Sequence, residues 1–397
     1  MTRKTTDGEG IPLSWHEVAT FRSRRHHLSE RAPAEELASV VDDIAGAQSQ
    51  VLSAAQISVW ARVRDLERVQ VEAALWTDRS LSKAWCMRRT LHLLPSARLA
   101  VYVRGSARRA EREINWLRTN GVGERRVEEL VAATLAALDE PLTRADLAAR
   151  LHSSLGLKVR ARLGGGWGSD RKVLCIELGP LTLSVGYLLH MAGARGVICC
   201  TPDHGNEAAY VRADAWLPDW HDLPAARAET LLLRTYLRAF APATPADYAW
   251  WTGMYRSDAQ AIWDTLKAEL VPVQVDRWRA WVLRQDLPEL AGGKPDAGEV
   301  RLLPYFDTFL LGHKTKQHLV GATNWPRVFR PQGWVAPVVF REGRAIGVWS
   351  HALKGKRLSV RVEPFGRPSP EVSREIRGEA IDLGRFLGSS NVATECA

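Results

Sequence analysis

Little in this chain points to export, a membrane or a metal. The 397 residues hold only five cysteines, Cys86, Cys175, Cys199, Cys200 and Cys396. None forms a Cys-x-x-Cys pair, and an odd, scattered set is not a disulfide framework, so a reducing cytoplasm is the expected setting. No uninterrupted apolar run reaches the roughly 18 residues a membrane helix needs. The N-terminal stretch carries Lys4, Arg22, Arg24 and Arg25 but no apolar core of signal-peptide length. Also missing are His-Glu-x-x-His, Gly-x-Ser-x-Gly, the Walker lysine motif and the EF-hand loop. Cys200 with His204, and His313 with His318, are isolated pairs without two further ligands at metal spacing, so neither a metal nor another cofactor is expected.

What is present describes a folded chain. Hydrophobic residues make up 46% and charged residues 25%, which excludes a disordered or collagen-like polymer. The length exceeds one ordinary domain of about 100–200 residues and predicts two to four compact units. Bases outnumber acids by 54 to 45, for a net charge of +9. Most of them are arginine, whose fork suits phosphate, although an excess of this size also serves solubility alone.

Three stretches share one order of elements, helices followed by a strand pair, as in winged helices. The first has helices over Ser14 to Arg31, Ala34 to Ala45, Leu52 to about Val63 and Val69 to Trp76, then strands over Ala84 to Met87 and Thr90 to Leu94. The second has Glu124 to Leu138, a helix from Arg144 capped by Thr143, a helix over Leu181 to Met191, and a hairpin of Gly196 to Thr201 with Ala208 to Val211. The third has Ala225 to Phe240, a helix begun by Thr244 and Pro245, another capped by Ser257, and strands Val271 to Val275 and Ala280 to Leu283. No residue-level repeat accompanies this order. The Gly-rich stretch Gly164 to Gly168 is a connector, and Ala291 to Pro295 marks a joint before a strand-rich end: Val335 to Phe340, Ala345 to Trp349, Leu358 to Val362, then a helix over Glu371 to Phe386 and fraying final residues. The expected fold is α+β, with about three tandem winged-helix units at 10–122, 123–222 and 223–290 and a small β-rich C-terminal module at 291–397.

Sixteen tryptophans are many for this length, and Trp250, Trp251, Trp263, Trp278 and Trp281 crowd the third unit. At helical spacing they read first as core, although aromatics also stack on bases. Basic clusters recur at Arg22 to Arg25, Arg104 to Arg112, Lys158 to Arg162, Arg171 and Lys172, Lys314 and Lys316, and Lys354 to Arg357. They are either solvated faces or phosphate contacts along one surface. In Gly46-Ala47-Gln48-Ser49-Gln50, an extended backbone would aim both glutamine side chains to one face, whereas helix would part them.

In chain order, Arg24-Arg25-His26-His27-Leu28, Ala47-Gln48-Ser49-Gln50, Trp60-Ala61-Arg62, Trp85-Cys86-Met87-Arg88-Arg89-Thr90-Leu91-His92, Leu302-Leu303-Pro304-Tyr305-Phe306-Asp307 and the segment from Phe329 to Trp349 resemble the AlkZ/YcaQ family of winged-helix DNA glycosylases. The resemblance implies tandem winged helices in a curved, positively charged scaffold around duplex DNA, and excision of alkylated purines, in some members from interstrand crosslinks. It makes Gln48 and Gln50 the counterparts of the family's catalytic Gln-x-Gln motif. Two departures stand out: Ser49 replaces the usual aliphatic middle residue, and Arg89 stands where many relatives have Gly.

Two amides suit that chemistry. An N3- or N7-alkylated purine is already cationic and leaves as a neutral base without a strong general acid, so the protein has only to stabilise an oxocarbenium-like sugar and hold a water. Candidate DNA contacts are Arg24, Arg25, His26, Arg88, Arg89, His92, His204, Lys314 and Lys316. The expected partner is double-stranded DNA with alkylated purines, bound by a monomer in the cytoplasm at the nucleoid and not at a membrane. The competing expectation is a noncatalytic winged-helix DNA-binding or regulatory protein.

Overall fold

A computed structural model describes residues 10–163, 172–179, 181–205, 207–292 and 298–396. The Gly164 to Gly168 connector lies outside the described residues, as does most of the joint before the C-terminal module.

The first helix, Trp15–Arg25, starts where Ser14 and Glu17 form a reciprocal capping box. It ends sooner than the expected Arg31, because His27 takes a left-handed backbone (φ 52°) that no helix continues. Helices Leu52–Trp60 and Arg68–Trp76 follow, then a hairpin of Leu81–Trp85 and Leu91–Pro95. Thr143 caps Arg144–Leu155, and Thr244 caps Pro245–Thr252, each through a capping box with the Asp three residues on. The helix expected from Ser257 is instead entered at Tyr255 and runs over Arg256–Asp264.

The second stretch also holds a three-stranded sheet beyond its expected helices and hairpin. Val159–Leu163, Lys172–Leu178 and Leu181–Ser184 form an antiparallel trio, so the helix expected from Leu181 begins only at Val185. Ser184 accounts for the switch, since its side chain caps the helix at Tyr187. The basic run at Arg160 and Arg162 is therefore one face of a strand, with Arg160 paired to Glu177 at 2.7 Å.

Long-range pairing joins these stretches. The first hairpin and the second, Ile198–His204 with Glu207–Arg212, merge through Lys83↔Cys200 and Ala84↔Cys199 into one six-stranded sheet. At one edge of that sheet lies the two-residue strand Ala47–Gln48. The third hairpin, Leu270–Val275 with Trp278–Leu283, takes Ile11–Leu13 as a parallel third strand. In the C-terminal sheet, Asn391–Cys396 pairs in parallel with Arg357–Pro364 from Arg357↔Asn391 to Val362↔Cys396, so the end expected to fray is an ordered edge strand.

The first stretch and the C-terminal module share one hydrophobic core, running from Leu28 to Leu93 and from Val300 to Phe386. Arg62 and Asp307 close it with a fully buried bidentate pair at 2.7 and 2.9 Å, while Ser58 adds a 2.7 Å bond to the same carboxylate. No described helix is long and apolar enough to cross a membrane.

Candidate active site around Gln48 and Arg88

Between two helices, Gln48 ends the two-residue strand Ala47–Gln48 and Gln50 follows at a bend. Gly46 admits the chain there with φ 86°, and a Cβ in its place would come within 2.7 Å of the Leu94 side chain. The strand register sets Gln48 opposite His92, and the Ser49 amide continues the pairing to the Leu91 carbonyl at 2.7 Å. Gln48 is half-buried, Ser49 buried and Gln50 exposed. The Ser49 hydroxyl is enclosed without a hydrogen-bond partner, so an aliphatic residue there would remove an unsatisfied polar atom.

The turn Met87–Arg89 faces this segment. Arg88 and Arg89 both have left-handed backbones, φ 53° and 61°. Such a backbone costs a residue with a Cβ about 1–2 kcal/mol, which explains why glycine suits the position of Arg89. Here Arg89 donates to the buried carboxylate of Glu113, which also accepts from His190 at 2.8 Å. Burial works against the charge on Glu113, but these two partners hold it below the usual carboxylate range.

Arg88 turns inward. One terminal nitrogen donates to the Trp251 carbonyl at 2.7 Å; the other donates to Gln48 Oε1 at 3.1 Å and lies 3.4 Å from His92 Nε2. Since a guanidinium only donates, the Gln48 oxygen must face it, and the amide orientation follows from chemistry. The same reasoning assigns the His92 tautomer: Nε2 is the acceptor, and Nδ1–H donates to the Thr90 carbonyl at 3.0 Å. Burial, then the Arg88 charge, push His92 well below its ordinary pKa, so the ring is neutral near pH 7. Burial also lowers Arg88 to about 10, and it stays charged. Gln50 Oε1 accepts from the Leu91 amide at 3.3 Å.

Lys316 completes the group. Its ammonium lies 3.8 Å from the Trp250 ring centroid and 5.4 Å from that of Phe329, and it is buried. Burial first, and the Arg88 charge second, lower it to about 8 against the pull of Asp247. The loop that carries it is anchored from behind: buried Arg22 bonds His313 at 2.8 Å, His318 at 2.9 Å and the Pro242 carbonyl at 2.8 Å.

The structure thus gathers Gln48, Gln50, Arg88 and His92 beside Lys316, and disperses the other candidates. His26 is fully buried between Phe240 and Phe309, with Nε2 on the Ala239 carbonyl at 3.1 Å; it is a core histidine with no surface for DNA. Arg25 is committed to Asp286 and Glu289 at 3.0 and 2.5 Å. Arg24 and Lys314 are exposed, Lys314 giving its backbone amide to Asp247 at 3.0 Å. His204 stands exposed at the tip of the second hairpin. Sequence reasoning overlooked Trp250 as the seat of Lys316, and Gly253, where an added Cβ would come 3.3 Å from the Arg88 Cα. The only sequence signal for either is a Trp-Trp-Thr-Gly run that ends a capped helix. No described group of three or more His, Cys, Asp or Glu side chains is placed to hold a metal.

Comparison with known proteins places the chain in a family. The profile of AlkZ-like DNA glycosylases matches residues 41–386. A Streptomyces sahachiroi protein described as an interstrand DNA cross-link repair glycosylase is 33% identical over 393 residues, covering 96% of this chain and 99% of that one. The solved structure of the Streptomyces sahachiroi DNA glycosylase AlkZ superposes with a TM-score of 0.79 at 28% identity, covering 98% of this chain and 100% of the other. With the match spanning the glutamine segment, the Met87–Arg89 turn and the Lys316 loop, the chain belongs to the AlkZ-like DNA glycosylase family.

Proposed function

We propose that this protein is a monofunctional glycosylase that hydrolyses the N-glycosidic bond of N3- or N7-alkylated purines in duplex DNA, including purines held in interstrand crosslinks, and leaves an abasic site. The observation that carries this reading is the pair of amides two residues apart, Gln48 half-buried against Arg88 and Gln50 exposed at the bend that follows, each oxygen engaged by a single protein donor. A carbonyl oxygen has two lone pairs, so each retains one acceptor position for a water or for the electron-poor sugar. Gln48 and Gln50 act by orienting water and by their dipoles, not as Brønsted bases.

The neutral state of His92 supports the lesion class. Its one ring proton is spent on the Thr90 carbonyl, so it has none to give a departing base. A base that leaves without protonation must already carry positive charge, as N3- and N7-alkylated purines do. The uncompensated charge of Arg88 would oppose an oxocarbenium in isolation; the phosphates flanking the lesion supply the countercharge. Three winged-helix units and the C-terminal module enclose the duplex, with Arg24, Lys314 and His204 as exposed contacts and the protein acting as a monomer.

The test is base release from duplex DNA containing N7-methylguanine, scored by alkaline cleavage of abasic sites. Gln48→Ala with Gln50→Ala is expected to lower release at least about 10²-fold while lesion-DNA affinity stays within a few fold. Undiminished release by the double variant refutes the assignment. Binding of duplex DNA by the native protein without any time-dependent cleavage would instead identify a noncatalytic DNA-binding protein.

A further inference from the structure

We infer that Arg88 is a positioning residue that acts through Gln48, tying the orientation of that amide to the third helical stretch, and that it is not a phosphate contact. This rests on the reading of Gln48 given above.

Both terminal nitrogens of the guanidinium are engaged within the protein. One nitrogen is held by the Trp251 carbonyl at 2.7 Å, at the end of helix Pro245–Thr252, and the other is shared between Gln48 Oε1 and His92 Nε2. All three acceptors are neutral, and no carboxylate pairs with Arg88 among the described residues, so the side chain bridges parts of the fold that local sequence leaves unconnected. Its backbone is held as tightly. Arg88 sits at φ 53°, a conformation a residue with a Cβ avoids, and Gly253, itself at φ 82°, lets the turn come so close that an added Cβ would lie 3.3 Å from the Arg88 Cα. A surface cation awaiting phosphate needs none of this; a residue that must present one donor at a fixed point needs all of it.

The chemical consequence concerns Gln48. A free glutamine amide can rotate about its last torsion and exchange oxygen for nitrogen at the site. A donor-only partner removes that freedom, because turning the amide would set its NH2 against a guanidinium NH2. Arg88 thereby keeps one Gln48 lone pair at a constant position, and its charge polarises the amide. A displacement of about 1 Å of a catalytic group can cost about 10²-fold in rate.

A double-mutant cycle between Arg88 and Gln48 tests this by single-turnover base release at saturating protein. Arg88→Met is expected to slow release by about 10- to 100-fold, to leave the slope of log affinity against log salt unchanged, and to add nothing in a Gln48→Ala background. Arg88→Lys keeps the charge but offers one nitrogen where the guanidinium uses two, so an intermediate rate with the native salt slope is expected. Should Arg88→Met unfold, as judged by thermal melting, Arg88→Lys carries the test alone. A salt slope reduced by about 1 with an unchanged saturated rate makes Arg88 a phosphate contact and overturns the inference, as do additive effects in the cycle or a native rate for Arg88→Lys. Full activity of Gln48→Ala defeats the underlying reading instead.

Discussion

Arg62 and Arg88 are both inward-facing arginines, and they have opposite surroundings. Arg62 meets Asp307 in a bidentate pair with both side chains fully buried, a closed ion pair inside the core shared by the first stretch and the C-terminal module. Arg88 meets a main-chain carbonyl, an amide oxygen and a neutral imidazole, and its positive charge is left unbalanced beside the half-buried Gln48. A cation matched by its own carboxylate has no further demand and serves as scaffold; a cation satisfied only by dipoles keeps its field, and here that field acts on the amide it holds. Arg22 shows that neutral acceptors alone do not suffice. Its partners are His313 and His318, which flank Lys316 in the same loop, and the Ala241 and Pro242 carbonyls, and neither glutamine is among them.

Stability should respond most at the closed pair. Asp307→Ala leaves a buried charge unpaired, and a loss of about 3–5 kcal/mol is expected, read as a lower denaturation midpoint. Arg88→Met should cost less, about 1–3 kcal/mol, although its effect on base release is much the larger of the two. Equal losses of stability would show that the two arginines do the same work.

A pH series sharpens the contrast further. His92 is held neutral by burial and by Arg88, and only a pH well below 6.5 would protonate it in the folded protein, so N7-methylguanine release should stay flat between about pH 6 and 8. A rate that climbs as pH falls through about 6.5 would indicate a general acid. Lys316, lowered to about 8, is protonated below that value and loses its proton as pH rises through it, whereas DNA phosphates favour the charged form. Affinity for duplex DNA should therefore decline modestly from pH 7 to 9, with proton uptake on binding, and Lys316→Arg should flatten the decline. The smallest effect belongs to His26, where His26→Leu should cost about 1 kcal/mol and leave base release at the native rate.

Local structure was legible to the extent that its causes were local. Ser14, Thr143 and Thr244 cap the helices their positions announce, because a side-chain oxygen reaching an amide three residues on requires no distant partner. The hairpins near Leu91 and Ile198 follow from short apolar runs on either side of a turn. The strand at Val159 alternates apolar residues with Arg160 and Arg162, whose charge masks that pattern, and Lys172–Leu178 is a short run with four consecutive apolar residues; in neither case is the pairing partner distant. The motif residues divided in a way no spacing foretold: Arg62 and Asp307 hold the fold, His26 fills it, and Arg88 and His92 converge on Gln48.

From its residues alone, this protein is a folded, basic, α+β chain with two glutamines two positions apart, since composition and short-range hydrogen bonding act within a few residues. Tertiary structure decided which charges are cancelled and which are not. Arg62 finds Asp307 across 245 positions, and Arg88 finds Trp251 across 163, so the field at the glutamines depends on contacts whose closure only the assembled core can hold in place.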